Sequence, residues 1–82
     1  MPTIHRFNSV RVVVYPNDHR PAHVHLVGDG AEAVISLNCH DGPVTLRENF
    51  GFSQQQLTVL KRQIELALTM FCEKWSEIHG PY

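Results

Sequence analysis

The sequence predicts an α+β domain, an antiparallel three- to four-stranded β-meander packed against one long C-terminal α-helix. Three observations lead there. The first half consists of short runs rich in β-branched residues, two of these runs meet at Asp29-Gly30, and the second half repeats apolar residues at steps of three and four from Leu57 to Ile78. With 82 residues the chain can build one core, because a domain of this size buries only about 60 to 65% of the surface its unfolded chain exposes. Residues 1–82 read as a single domain, without a repeat, a low-complexity tract or a linker.

The first strand is expected at about residues 9–15, where Val10 to Tyr15 is dominated by valine. Pro16 and Asn17 break it, and Pro21 keeps residues 16–22 irregular. Strands at about 23–28 and 31–37 flank Asp29-Gly30, a dipeptide that suits a two-residue primed hairpin turn because both positions need positive φ. Such a turn sets Gly28 opposite Ala31, His25 opposite Val34 and His23 opposite Ser36. One face then carries Val24, Leu26, Ala33, Ile35 and Leu37 with Val10, Val12 and Val14, and that face is the core. The other carries His23, His25, Val27, Glu32, Val34 and Ser36 beside Arg11, Val13 and Tyr15. After a turn at 38–43, Val44 and Leu46 indicate a short fourth strand at about 43–47.

The helix is expected over about 53–79. Ser53 with Gln56 three residues later has the form of a capping box, and Phe52 with Leu57 the form of a hydrophobic staple. Gly80-Pro81 supplies the stop. Leu57, Leu60, Ile64, Leu68, Phe71, Trp75 and Ile78 make the buried stripe of an amphipathic helix. At ~1.5 Å per residue the rod is about 40 Å long, more than short strands cover. Val59, Leu66 and Met70 widen the apolar arc, so the overhang is a candidate for self-association unless the helix breaks near its middle.

Composition narrows the function classes. Seven basic and eight acidic side chains give a net charge of -1, spread along the chain without the basic stripe of a nucleic-acid binder. No apolar run approaches the ~20 residues of a membrane helix, and residues 1–7 lack the apolar segment of a secretory leader. Cys39 and Cys72 are far apart and outside any CxxC pair, so the expectation is reduced thiols in a cytoplasmic protein.

The chemistry-bearing residues concentrate in Tyr15 to His25. His23 and His25 lie two apart on a strand, hence on one face, with Cα atoms about 6.5 to 7 Å apart. From there two imidazoles can hold a divalent metal such as zinc, with His19 or Asp18 from the loop, or Glu32 from the next strand, as a third ligand. A metal-free alternative uses His23 and His25 as general acid and base, with Arg20 or Arg11 holding a phosphate. The structural alternative is that Asn17 and Asp18 are turn formers and the histidines an ordinary solvated face. Cys39-His40-Asp41 sits in a turn that Asp41-Gly42-Pro43 explains without chemistry, and His79 suits the last turn of a helix through its dipole.

Three segments carry a resemblance: the opening Met-Pro-Thr-Ile, the hairpin Tyr15 to His25 with its Asp-His-x-Pro-x-His-x-His pattern, and the tail Trp75-Ser76-Glu77-Ile78-His79-Gly80. Together they resemble a widespread family of short bacterial proteins catalogued as a domain of unknown function. The chain departs from that pattern at Ala22, where a second proline is usual, and at Leu26, where a smaller branched residue is common. The resemblance implies a cytoplasmic bacterial protein encoded beside another small domain, an arrangement like a toxin–antitoxin or regulatory pair. Two functions follow from the whole reading. The leading one is a non-enzymatic binding or regulatory module that meets a protein partner, or itself, through the histidine-bearing sheet face with Tyr15 and Val13. The alternative is a metal-dependent hydrolase or nuclease centred on Asp18, His19, His23 and His25, with Arg20 and Tyr15 as further catalytic candidates.

Overall fold

The structure, a computed structural model, describes residues 3–82. Met1 and Pro2 of the opening tetrapeptide lie outside the described residues. One antiparallel sheet has its strands in chain order: β1 (Thr3–Phe7), β2 (Val10–Val13), β3 (His23–Gly28), β4 (Ala31–Ser36) and β5 (Thr45–Phe50). Two helices follow, α1 (Gln54–Leu66) and α2 (Leu68–His79). The expected α+β class holds, but the expected three to four strands and single helix do not.

The additional strand is β1. Its sequence places His5 and Arg6 between Ile4 and Phe7, so it lacks the β-branched run that marks a strand. Its pairing supplies the signal that the pattern does not: Phe7 opposes Val10 and His5 opposes Val12 across a turn, in which Asn8 takes φ 54°. β5 also begins later than expected and runs further. Val44 is buried in the core just ahead of it, while the strand itself is exposed at every position, as its polar sequence Thr-Leu-Arg-Glu-Asn-Phe allows at a sheet edge.

The central hairpin has the expected register. Asp29 and Gly30 sit at φ 53° and 74°, and Gly28, His25 and His23 oppose Ala31, Val34 and Ser36. Alternation therefore sends Val24, Leu26, Ala33, Ile35 and Leu37 into the core with Val10, Val12 and Val14. The helices close over this face with Leu57, Leu60, Ile64, Leu68, Phe71 and Trp75. Burying an aliphatic side chain of this kind contributes about 1.5 to 3 kcal/mol before the entropy of ordering it.

The helix start is as the sequence indicates. The Gln56 amide donates to Ser53 Oγ at 3.1 Å, and the Ser53 amide donates to Gln56 Oε1 at 2.9 Å. The single rod is corrected to two helices meeting at Ala67, whose φ of -116° and ψ of 27° leave the helical range. The break keeps over the short strands a segment that would be about 40 Å long if straight, and the longest extent of the described residues is 31 Å. With the break, Ile78 is exposed rather than part of the core stripe, and Val59 and Leu66 are exposed as well. Gly80 ends α2, its amide donating to the Ser76 carbonyl at 2.8 Å.

The expectation of reduced thiols is also corrected: Cys39 and Cys72 form a disulfide, with Cα atoms 5.9 Å apart. They are 33 positions apart in sequence, and only the docking of the β4–β5 turn against α2 brings them together. Glu65 fixes the same turn from α1, its Oε1 accepting the Val44 amide at 2.8 Å. The pairing removes the step from free cysteines to a reducing compartment. No helix among the described residues is long and apolar enough to cross a membrane.

Candidate functional site

The site grows from the irregular segment between β2 and β3. Pro16 and Pro21 keep residues 16–22 out of the ladder, and the chain folds back over the sheet face opposite the helices. Two reciprocal bonds close its first turn. The Asp18 amide donates to the Tyr15 carbonyl at 3.0 Å, and the Tyr15 amide donates to Asp18 Oδ2 at 2.8 Å. The second bond fixes the carboxylate, leaving Oδ1 directed at the histidines. At the far end of the segment the Leu37 amide donates to the Ala22 carbonyl at 3.0 Å.

His23 and His25 stand side by side on β3, their ring centroids 5.2 Å apart. Asp18 Oδ1 lies 3.1 Å from His25 Nε2 and 3.5 Å from His23 Nε2. The outer ring nitrogens also meet oxygens. His23 Nδ1 is 2.9 Å from the Pro21 carbonyl, which only accepts, so Nδ1 carries the proton. His25 Nδ1 is 3.5 Å from Glu32 Oε2 without forming a hydrogen bond, and it is a buried nitrogen with no hydrogen-bond partner among the described residues.

Aromatic rings enclose the pair. Tyr15 packs on His25 with centroids 4.7 Å apart, and Trp75 of α2 packs on His23 at 5.2 Å. Trp75 in turn rests on His79 at 4.3 Å, and His79 Nε2 donates to the Tyr15 carbonyl at 3.0 Å. The end of α2 is thereby bolted to the start of the loop. His79 therefore does more than sit favourably at a helix terminus. This bolt, unlike the Pro21 contact two residues from His23, depends on the C-terminal helix returning to the sheet, so the pattern of the tail residues alone does not reveal it.

Of the residues singled out from sequence, the structure brings Asp18, His23 and His25 together, one ligand-type atom of each lying within 4.8 Å of the others. Tyr15 and Glu32 border the group. His19 and Arg20 belong to the same loop but are exposed and stand outside it. Arg11 is directed elsewhere, its guanidinium 3.4 Å from Thr3 Oγ1. Enclosure is the other feature of the group: the side chains of Asp18, His23 and His25 are only 11, 9 and 15% exposed.

Beyond the loop, the same sheet face is uncovered. Cross-strand pairing places Arg11, Val27, Glu32 and Phe50 in one row, with Val34 beside it on β4. Val27 and Val34 are half-buried, and Phe50 is 65% exposed.

Residues 10–76 match the family described as a domain of unknown function, DUF4160. That span takes in the Asp18–His25 segment and ends at Ser76, ahead of Ile78-His79-Gly80. No curated protein and no solved structure matches the chain. With the match covering well over half of the residues, the two-layer domain that carries this histidine hairpin belongs to the DUF4160 family.

Proposed function

We propose that the protein is a non-enzymatic binding module, acting as one partner of a regulatory pair, that docks another protein on the uncovered part of its sheet face. The observation that carries this reading is the row ending in Phe50, joined by Val27 and Val34. A two-layer domain covers one sheet face with helices, and here the other face leaves an aromatic and two aliphatic side chains in contact with water beside Arg11 and Glu32. Apolar centres rimmed by charge are typical of protein contacts. A hydrolase or nuclease reading draws on the convergence of Asp18, His23 and His25, but a substrate must reach the reacting groups, and these are the enclosed part of the face.

The test places a photo-crosslinking residue at position 50 in the full chain, in its native cell, with the same residue at exposed Gln55 of α1 as control. A discrete adduct from position 50 and none from 55, lost when Val34→Glu is added, is the expected result. Equal or absent labelling at both positions sinks the reading. Self-association is separated by sedimentation: if the partner is a second copy, Phe50→Glu lowers the mass from dimer to monomer.

A further inference from the structure

We infer that Asp18, His23 and His25 form a binding site for a divalent first-row transition metal, independently of whatever docks on the open part of the sheet.

The ring nitrogens of the two histidines are the first indication. Three ring nitrogens of His23 and His25 lie against an accepting oxygen, the Pro21 carbonyl and Asp18 Oδ1 twice, and the fourth, His25 Nδ1, stands 3.5 Å from the Glu32 carboxylate without a hydrogen bond. Two neutral imidazoles carry two protons between them. With the His23 proton on Nδ1 against the Pro21 carbonyl, His23 Nε2 presents its lone pair to Asp18 Oδ1 3.5 Å away, between side chains only 9 and 11% exposed. One divalent cation between the Nε2 atoms and Oδ1 turns this opposition of lone pairs into shared ligation.

The separations from Asp18 agree with ligation of one metal ion, and the three ligand atoms lie within 4.8 Å of one another. In a tetrahedral centre with bonds of about 2.0 to 2.1 Å, neighbouring ligand atoms lie about 3.3 Å apart. Asp18 Oδ1 is 3.1 and 3.5 Å from the two Nε2 atoms. The surroundings have the form of an outer shell. Metal-bound histidines donate their other ring N–H to a backbone carbonyl or a carboxylate, which fixes the tautomer. Pro21 provides the carbonyl for His23, and Glu32 the carboxylate for His25, whose Nδ1 otherwise has no partner. The Tyr15 amide holds the other oxygen of Asp18. Two imidazoles and one carboxylate suit zinc, iron, cobalt or nickel better than calcium or magnesium, which prefer oxygen. Three protein ligands leave a further position for water. The bound cation clamps residues 15–22 to β3.

The experiment uses the untagged full chain, stripped with chelator and titrated with Zn²⁺ by calorimetry. Trp75, the only tryptophan, lies against His23 and supplies a parallel fluorescence signal. The expected result is one Zn²⁺ per chain, lost in Asp18→Asn and His25→Gln variants whose circular dichroism matches the parent. Glu32→Gln should weaken binding by about 10- to 100-fold, and acid should release the metal because the ligands must be deprotonated. Should the variants fail to fold, NMR of the parent decides: Zn²⁺ must shift the ring signals of His23 and His25 and leave those of exposed His5 and His40 in place. No binding, unchanged binding in both variants, or shifts confined to other histidines would overturn the inference.

Discussion

One face of one sheet contains two regions that differ in almost everything but their alternation. Around His23 and His25, the loop from Tyr15 to Ala22 and the end of α2 lie over the strands, and Val13, paired with His25, is fully buried. Further along the sheet, Val27, Glu32 and Phe50 face outward with none of the described residues packed over them. Alternation assigns all of these residues to one side. What separates them is where a proline-interrupted loop and a helix terminus land. Which side of a sheet a residue occupies is local information, and whether that side is covered is tertiary.

The comparison is broken most severely at Trp75, which is fully buried and joins the core to the covered histidines. Trp75→Ala should lose about 3 to 5 kcal/mol in urea or thermal unfolding. A loss below about 1 kcal/mol would mean that the covered end is not held by α2. Gly28 gives the next largest effect, at the open end. A Cβ built there falls 2.9 Å from the Val10 Cα, a backbone atom that cannot move aside cheaply. Gly28→Ala should cost about 1 to 3 kcal/mol by overpacking, measured in the same way. The smallest effect sharpens the contrast: Phe50→Ala should change stability by no more than about 0.5 kcal/mol while weakening whatever complex the open face forms. A larger loss of stability would show that Phe50 packs within the domain.

Sequence reasoning succeeded where structure is local. Asp29-Gly30 determined the hairpin and its register, and Ser53 with Gln56 determined the helix start, because both depend on residues within a few positions of one another. It failed where the cause lies elsewhere in the chain. β1 exists because β2 offers it an edge, and α1 and α2 separate at Ala67 without a glycine or proline to announce it. The Cys39–Cys72 bond spans 33 positions with no motif. The site falls between these cases. The spacing of His23 and His25, and the loop that carries Asp18, identified the members that now converge. The exposure of His19 and the roles of Trp75 and His79 were not legible, since they are set by how the loop and α2 meet, and the Pro21 carbonyl contact, though only two residues from His23, depends on the backbone path of the loop.

The bond from His79 to the Tyr15 carbonyl joins residues 64 positions apart, and that separation bears on the order of folding. The β3–β4 hairpin closes a two-residue turn, whereas the covered end waits for nearly the whole chain to assemble, and the entropy of closing a loop grows with its length. Substitutions at His79 and Trp75 should therefore accelerate unfolding while leaving the refolding rate nearly unchanged, the kinetic signature of contacts formed after the transition state. The histidine cluster is then the last part of the molecule to form and the first to come apart, so its integrity reports on the completed fold.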